Sequence, residues 1–205
     1  PFWSEIFSNP SSKSNLAGIN ASAILEASRE KIEQNLFLKN KKVIFTSGAT
    51  ESNNLALLGF ARNYYKKTGN YGHIITLKTE HKAVLEPLNK LKQEGFMVTE
   101  INPEKDGLIS EEQFKQNIRE DTFMVSVMLA NNEIGVIQPV DNISKICKSR
   151  GIIFHSDFAQ CLGYIELDNL LSDVNMITMS SHKIYGPKGI GLLLIDKEIN
   201  LEPLI

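Results

Sequence analysis

Apolar residues along this chain fall in short unbroken runs, separated by polar or glycine-marked loops and by stretches with a helical period. KKVIFTS (41–47), GHIITLK (72–78), FMVTEIN (96–102) and TFMVSVML (122–129) each predict a strand. IIFHSD (152–157), DVNMITM (173–179) and GLLLI (191–195) predict three more. Between them the period changes. Glu51 to about Lys67 predicts a helix, as does HKAVLEPLNKLKQEG, where Val84, Leu88 and Leu91 share a face and Gly95 ends the pattern. SEEQ (110–113) is a capping-box signature opening a short helix with Phe114 and Ile118. DNISKICKSRG (141–151) predicts a helix with Ile143, Ile146 and Cys147 on one side. A long helix is expected from roughly Asn15 to Leu36, after the turn-like NPSSKS. Near-continuous apolar strands are covered on both faces, so the expected class is α/β, an open parallel or mixed sheet between helix layers.

Composition narrows the picture without changing it. A chain of 205 residues holds one large domain with a real core, or at most a domain and a fragment. A net charge of −2 and scattered lysines argue against a nucleic-acid partner bound by bulk electrostatics. The two cysteines, Cys147 and Cys161, form no CxxC pair, which points to a reducing compartment and a cytoplasmic location. No apolar run is long enough to span a bilayer, so no membrane partner is expected. The opening PFWSEIFSNPSS is neither a signal nor a transit peptide, and without an initiator Met the true start is expected upstream.

In such sheets ligands sit at the carboxyl ends of the strands. After the first predicted strand come Gly48, Ala49, Thr50 and Glu51: a small-residue turn and a helix start, suited to an anion. An ordinary turn capped by Ser47 or Thr50 competes evenly with that reading. Thr79-Glu80-His81 follows the second strand, and a lone histidine is more often structural than chemical. Asn131 and Asn132 follow TFMVSVML, as turn formers or as donors to a ligand oxygen. Asp157 closes an apolar strand, with Gln160 three residues on; it needs a partner or serves as the N-cap of a following helix. A metal is poorly served, because His73, His81, His155 and His182 are far apart in sequence and His73 opens its strand at the opposite end. SSHKIYGPKGIG (180–191) places Ser180, His182 and Lys183 at the last of these ends, where an amine partly removed from water becomes nucleophilic. One ligand uses all of these groups together: an aldehyde on a pyridinium ring with a phosphate arm, which is pyridoxal 5'-phosphate.

The stretches FTSGATESNNLALLG, TEHKAVLEPL, NNEIGVIQPV, FHSDFAQCLG and SSHKIYGPKGIG resemble the cysteine desulfurases, within the class V aminotransferase group of fold-type I pyridoxal-phosphate enzymes. The resemblance runs from NPSSKS to the end of the chain. It implies a three-layer α/β/α large domain on a mostly parallel seven-stranded sheet, with residues 1–205 forming the cofactor-binding part. It implies L-cysteine as substrate, L-alanine as product, and sulfur passed to an iron–sulfur scaffold or another acceptor protein. A homodimer is expected on the same ground. By resemblance, Lys183 is the Schiff-base lysine and His81 stacks on the ring and moves protons. Asp157 pairs with the ring nitrogen, Gln160 reaches the ring oxygen, and Asn132 lies beside ring and substrate. Ala49 and Thr50 hold the phosphate, with Ser180 and His182 completing that pocket. Tyr185 and the glycines shape the turn after the lysine.

The chain departs from the family pattern in ways that matter. Family members are about twice this length, so their first strand, the C-terminal small domain and the mobile loop with the sulfur-accepting cysteine are expected to be missing here. Asn15 stands where the family usually has histidine, Ser181 replaces a common glycine, and Phe158 and Cys161 replace smaller or hydroxyl residues. Cys147 reads as a core residue on an apolar helix face, and Cys161, at an expected helix start, lacks the reach of a sulfur acceptor. A selenocysteine lyase-like enzyme shares the same cofactor residues. A non-catalytic remnant acting as a binding module is the reading from a different class.

Overall fold

A computed structural model describes residues 4–167 and 170–204. The chain divides into two compact units, one ending at Lys39 and the other starting at Asn40. The first unit is built on α1 (Leu16–Asn35). Asn15 caps it, its side-chain oxygen accepting the Gly18 N–H at 2.7 Å while its amide donates to Ser12 Oγ at 2.7 Å. The residue that departs from the family pattern is therefore a working N-cap.

The second unit holds the sheet. In chain order its elements are β1 (Lys41–Thr46), α2 (Ala49–Thr68), β2 (His73–Leu77), α3 (Lys82–Glu94), β3 (Met97–Ile101), α4 (Glu111–Gln116) and β4 (Thr122–Ser126). Then follow α5 (Val140–Ser149), β5 (Ile153–Asp157), α6 (Leu170–Asp173), β6 (Met176–Ser180) and β7 (Gly191–Asp196). The strand order is β1-β7-β6-β5-β4-β2-β3. All pairings are parallel except those of β7, which runs antiparallel to both neighbours. The expected mostly parallel, seven-stranded α/β sheet is present.

Adjacent residues such as Ile74 and Ile75 are both fully buried, so helices cover both faces. One face packs Ile74, Met124, Met176 and Leu193 against α2 and α3, including Val84, Leu88 and Leu91. α5 packs on β5, burying Ile143 and Cys147. α3 ends at Gly95, which takes φ +113° as its C-cap, a conformation that glycine reaches without a Cβ penalty.

Because β1 and β6 both run antiparallel to β7, Thr46, Gly191 and Ser180 stand side by side. That row brings the exits of the first and sixth strands to one edge, along with the exits of the parallel strands β2, β4 and β5. His73 sits at the other edge, where its ring nitrogens bond Thr122 and Thr99 hydroxyls at 2.8 Å each. Among the described residues no helix is long and apolar enough to cross a membrane.

Candidate active site

A cavity of about 430 Å³ opens at the edge where the strand exits converge. Its size falls within the ~300–1,000 Å³ common for small-molecule sites. Ala49, Thr50, His81, Asn132, Asp157, Gln160, Ser180, His182 and Lys183 all line it. Residues spread over 135 positions of sequence thus meet in one place, a spread given by Ala49 at one end and Lys183, 134 positions on, at the other.

At the β1–α2 turn, the N-cap is Gly48, and no side chain caps the helix. Neither Ser47 nor Thr50 plays the capping role that competed with the anion reading. Ser47 instead gives its N–H and hydroxyl to Glu51 Oε2 at 2.7 and 2.6 Å, and these bonds hold the Glu51 carboxyl below its ordinary pKa. The turn is pinned from beneath by Thr46, whose hydroxyl donates to the Gly48 carbonyl at 3.1 Å and bonds Ser52 Oγ at 2.7 Å. The N-terminal dipole of a 20-residue helix therefore faces the cavity with its first-turn N–H groups unclaimed by any side chain.

Asp157 lies at the floor, 5% exposed. Asn53 Nδ2 donates to Oδ2 at 2.7 Å, and the Ala159 N–H donates to Oδ1 at 2.8 Å. The segment after β5 is a run of turns, so Asp157 closes a two-residue side-chain turn and is not the N-cap of a helix. For the same reason Cys161 stands in a turn rather than at a helix start. Burial raises the Asp157 pKa, opposed by its two hydrogen bonds and by the charges of His81 and Lys183. A fixed, buried carboxylate of this kind gains from a cationic ring N–H opposite it.

His81 is the N-cap of α3, its Nδ1 accepting the Ala83 N–H at 3.1 Å. That bond leaves the neutral ring's proton on Nε2. His182 Nδ1 bonds Ser180 Oγ at 2.8 Å. Lys183 sits in a short 3-10 turn, Ser181–Ile184, and is exposed, whereas the sequence reading expected an amine partly withdrawn from water. The reason is the loop itself: residues 182–185 lie on the surface of this chain. Ser181 fits the tight turn by donating its hydroxyl to the Pro187 carbonyl, and Gly186 N–H returns to the Ser181 carbonyl at 2.9 Å. Tyr185 holds the left-handed conformation at φ +62° that lets the chain reverse there.

Both cysteines are buried, and burial pushes each thiol up to about 12. Neither is a thiolate nucleophile at neutral pH. His155, fully buried against Ser126 and Thr178, is pushed down to about 3 and stays neutral. Among the described residues no group of three or more His, Cys, Asp or Glu side chains could hold a metal ion. Sequence reading missed Asn53, which orients Asp157, together with Met128 and Lys188 in the cavity wall and the buried Glu80 behind His81. For Glu80 a signal was present: a carboxylate three residues past a fully buried strand needs a partner, the argument applied to Asp157.

The model of the aminotransferase class-V family matches residues 1–204, and the chain belongs to that family. Among curated relatives, the cysteine desulfurase IscS of Ehrlichia chaffeensis is 47% identical over 208 residues, covering 100% of this chain and 50% of the relative. The mitochondrial cysteine desulfurase of Eremothecium gossypii is 47% identical over 206 residues, covering 100% of this chain and 41% of the relative. A solved NifS-like protein superposes with a TM-score of 0.89 at 38% identity, over 100% of this chain and 55% of that one. A second solved structure, SspA in complex with cysteine, gives 0.88 at 37% identity, over 100% and 58%. The chain thus spans about half the length of the curated relatives it matches.

Proposed function

We propose that this chain is the cofactor-binding part of a pyridoxal-phosphate-dependent cysteine desulfurase, which converts L-cysteine to L-alanine and hands the sulfur to an acceptor protein such as an iron–sulfur scaffold. One observation carries the reading: an uncapped helix start, a buried oriented carboxylate and a lysine line the same cavity. The cavity's donor set suits pyridoxal phosphate part by part. The α2 N-terminus with Thr50, Ser180 and His182 suits a phosphate dianion. Asp157, oriented by Asn53 and Ala159, suits a protonated ring nitrogen. Gln160 and Asn132 supply amide groups at the wall, and Lys183 supplies the amine for covalent attachment. When bound, the cofactor supplies an electron sink for cleavage at the substrate's carbons. His81, its Nδ1 engaged by Ala83, presents Nε2 for holding or moving a proton. A cytoplasmic location and a homodimeric state belong to the same proposal.

The test is a titration of the purified chain with pyridoxal phosphate, followed by visible absorption, borohydride reduction and peptide mass mapping. The expected result is a visible band and a pyridoxyl mass on Lys183, both lost in Lys183→Ala. A folded chain with neither band nor adduct would overturn the reading.

A further inference from the structure

β2 and β4 are parallel neighbours, and the turn leaving each strand delivers one cavity residue, His81 from the first and Asn132 from the second. Two side chains that do not line the cavity tie these turns together. Glu80 Oε1 accepts the Met128 N–H at 2.7 Å, and Asn131 Nδ2 donates to the Thr79 carbonyl at 2.7 Å. The bonds run in opposite directions across the same gap, carboxyl to N–H one way and amide to carbonyl the other. A slide of either turn along the strands breaks both. The two side chains are 6% and 7% exposed, so breaking the first bond strands a buried carboxyl oxygen and breaking the second leaves the Asn131 amide only its weaker bond to Met128 Sδ at 3.3 Å.

Asn131 also organises its own loop. Its Oδ1 accepts the Glu133 and Ile134 N–H groups at 2.8 and 3.0 Å, and its backbone N–H bonds the Val136 carbonyl at 2.9 Å. Asn132 is therefore carried on a loop wound around its neighbour's amide. Glu80 Oε2 is buried with no hydrogen-bond partner among the described residues, and burial raises the Glu80 pKa well above its ordinary value. A carboxyl group using only one oxygen as an acceptor is matched in that contact by glutamine, which makes the role testable.

We propose that Glu80 and Asn131 are positioning residues, a crossed pair of hydrogen bonds that locks the β2 and β4 exit turns in one register and so holds His81 and Asn132 in place at the cavity. The clamp deepens the proposed function and rests on it for what the cavity binds.

Hydrogen–deuterium exchange and pyridoxal-phosphate affinity, measured on wild type, Glu80→Gln, Glu80→Ala and Asn131→Asp, test it. Asn131→Asp keeps the Oδ1 contacts to residues 133 and 134 and replaces the Nδ2 donor, which serves the Thr79 carbonyl and Met128 Sδ, by an acceptor oxygen. Glu80→Ala and Asn131→Asp are expected to exchange roughly tenfold faster in peptides covering 79–83 and 128–135, the scale of one lost hydrogen bond. Elsewhere they match wild type, and their pyridoxal-phosphate affinity falls by a similar factor. Glu80→Gln is expected to stay within about twofold of wild type in both readouts, since it keeps the acceptor. Uniformly faster exchange, unchanged exchange in those peptides, or a Gln variant as impaired as the Ala variant would overturn the clamp. A wild-type chain that binds no pyridoxal phosphate would remove the cofactor reading, while exchange would still decide the clamp. Should Glu80→Ala fail to fold, Asn131→Asp and Glu80→Gln carry the decision.

Discussion

Replacing Asn53 by alanine asks how the floor of the cavity keeps its charge. The Asn53 amide donates to Asp157 Oδ2 at 2.7 Å in a fully buried setting. A hydrogen bond to a charged group contributes about 1.5–3 kcal/mol. Asn53 Oδ1 is itself buried without a partner among the described residues, so removing the side chain also relieves about 1 kcal/mol of unsatisfied acceptor, offset by the small cavity left behind. The expected loss at pH 7.5 is therefore about 1.5–3 kcal/mol. Its pH dependence has a definite sign. Burial raises the Asp157 pKa in the folded chain, so the native state holds that proton more tightly than the unfolded state does. The resulting penalty is absent below the unfolded value of about 3.9, grows as pH rises towards the raised folded value, and is constant above it. Losing Asn53 raises the folded pKa further and extends the penalty to higher pH. In acid, where Asp157 is protonated in both proteins, only a neutral hydrogen bond is lost, worth roughly half as much. Urea unfolding followed by far-ultraviolet circular dichroism, in steps from pH 7.5 down to pH 4, follows the change. A loss that does not change with pH would refute the argument that the amide supports a charge.

Three further outcomes are expected. Native Cys147 and Cys161 should resist a disulfide reagent at pH 8, since both thiols are buried and pushed up to about 12, and should react when urea unfolds the chain; labelling of Cys161 in the folded chain would contradict its burial. Gly191→Ala should destabilise by about 1–3 kcal/mol and weaken pyridoxal-phosphate binding, because the added Cβ would lie 2.5 Å from Gly48 Cα, under the α2 turn; calorimetry and titration of the same sample read both effects. Lys41→Met should cost about 3 kcal/mol in urea unfolding, at the low end for a broken buried pair, since Lys41 loses Asp196 at 2.5 Å and the Val174 carbonyl at 2.6 Å while Asn175 still donates to Asp196; an unchanged midpoint would refute it.

The seven strands and the longer helices were legible in the sequence because short apolar runs, bounded by glycine or polar loops, alternate with longer stretches of helical period. Limits were less legible where side chains replace backbone pairing. DVNMITM suggests a strand from residue 173, but β6 begins at Met176. Asn175 spends its amide on the Phe154 N–H and on Asp196. SEEQ forms half a capping box: Ser110 Oγ accepts the Gln113 N–H at 3.3 Å, while the Gln113 amide donates to the Asn102 carbonyl, 11 residues away. At the cavity, strand exits with chemical side chains were visible from the chain alone. Asn53 was not, because its partner lies 104 residues off and a polar residue in an early helical turn has no special pattern. Nor does any local run say that β7 returns antiparallel between β1 and β6.

That placement of β7 has a consequence for biosynthesis. β1 waits for a neighbour whose paired residue, Asp196 opposite Lys41, is made 155 residues later. At ribosomal speeds of ~5–20 residues per second, the first strand spends roughly eight to thirty seconds without β7 while the intervening strands emerge. Gly191, touching Gly48 on one side and paired with Ser180 on the other, then joins the helix start to the lysine loop in one late step. The turn at residues 48–51 and the loop carrying Lys183 come to share a cavity only when β7 is threaded between them, so a nascent chain cannot form the proposed cofactor site before β7 joins the sheet.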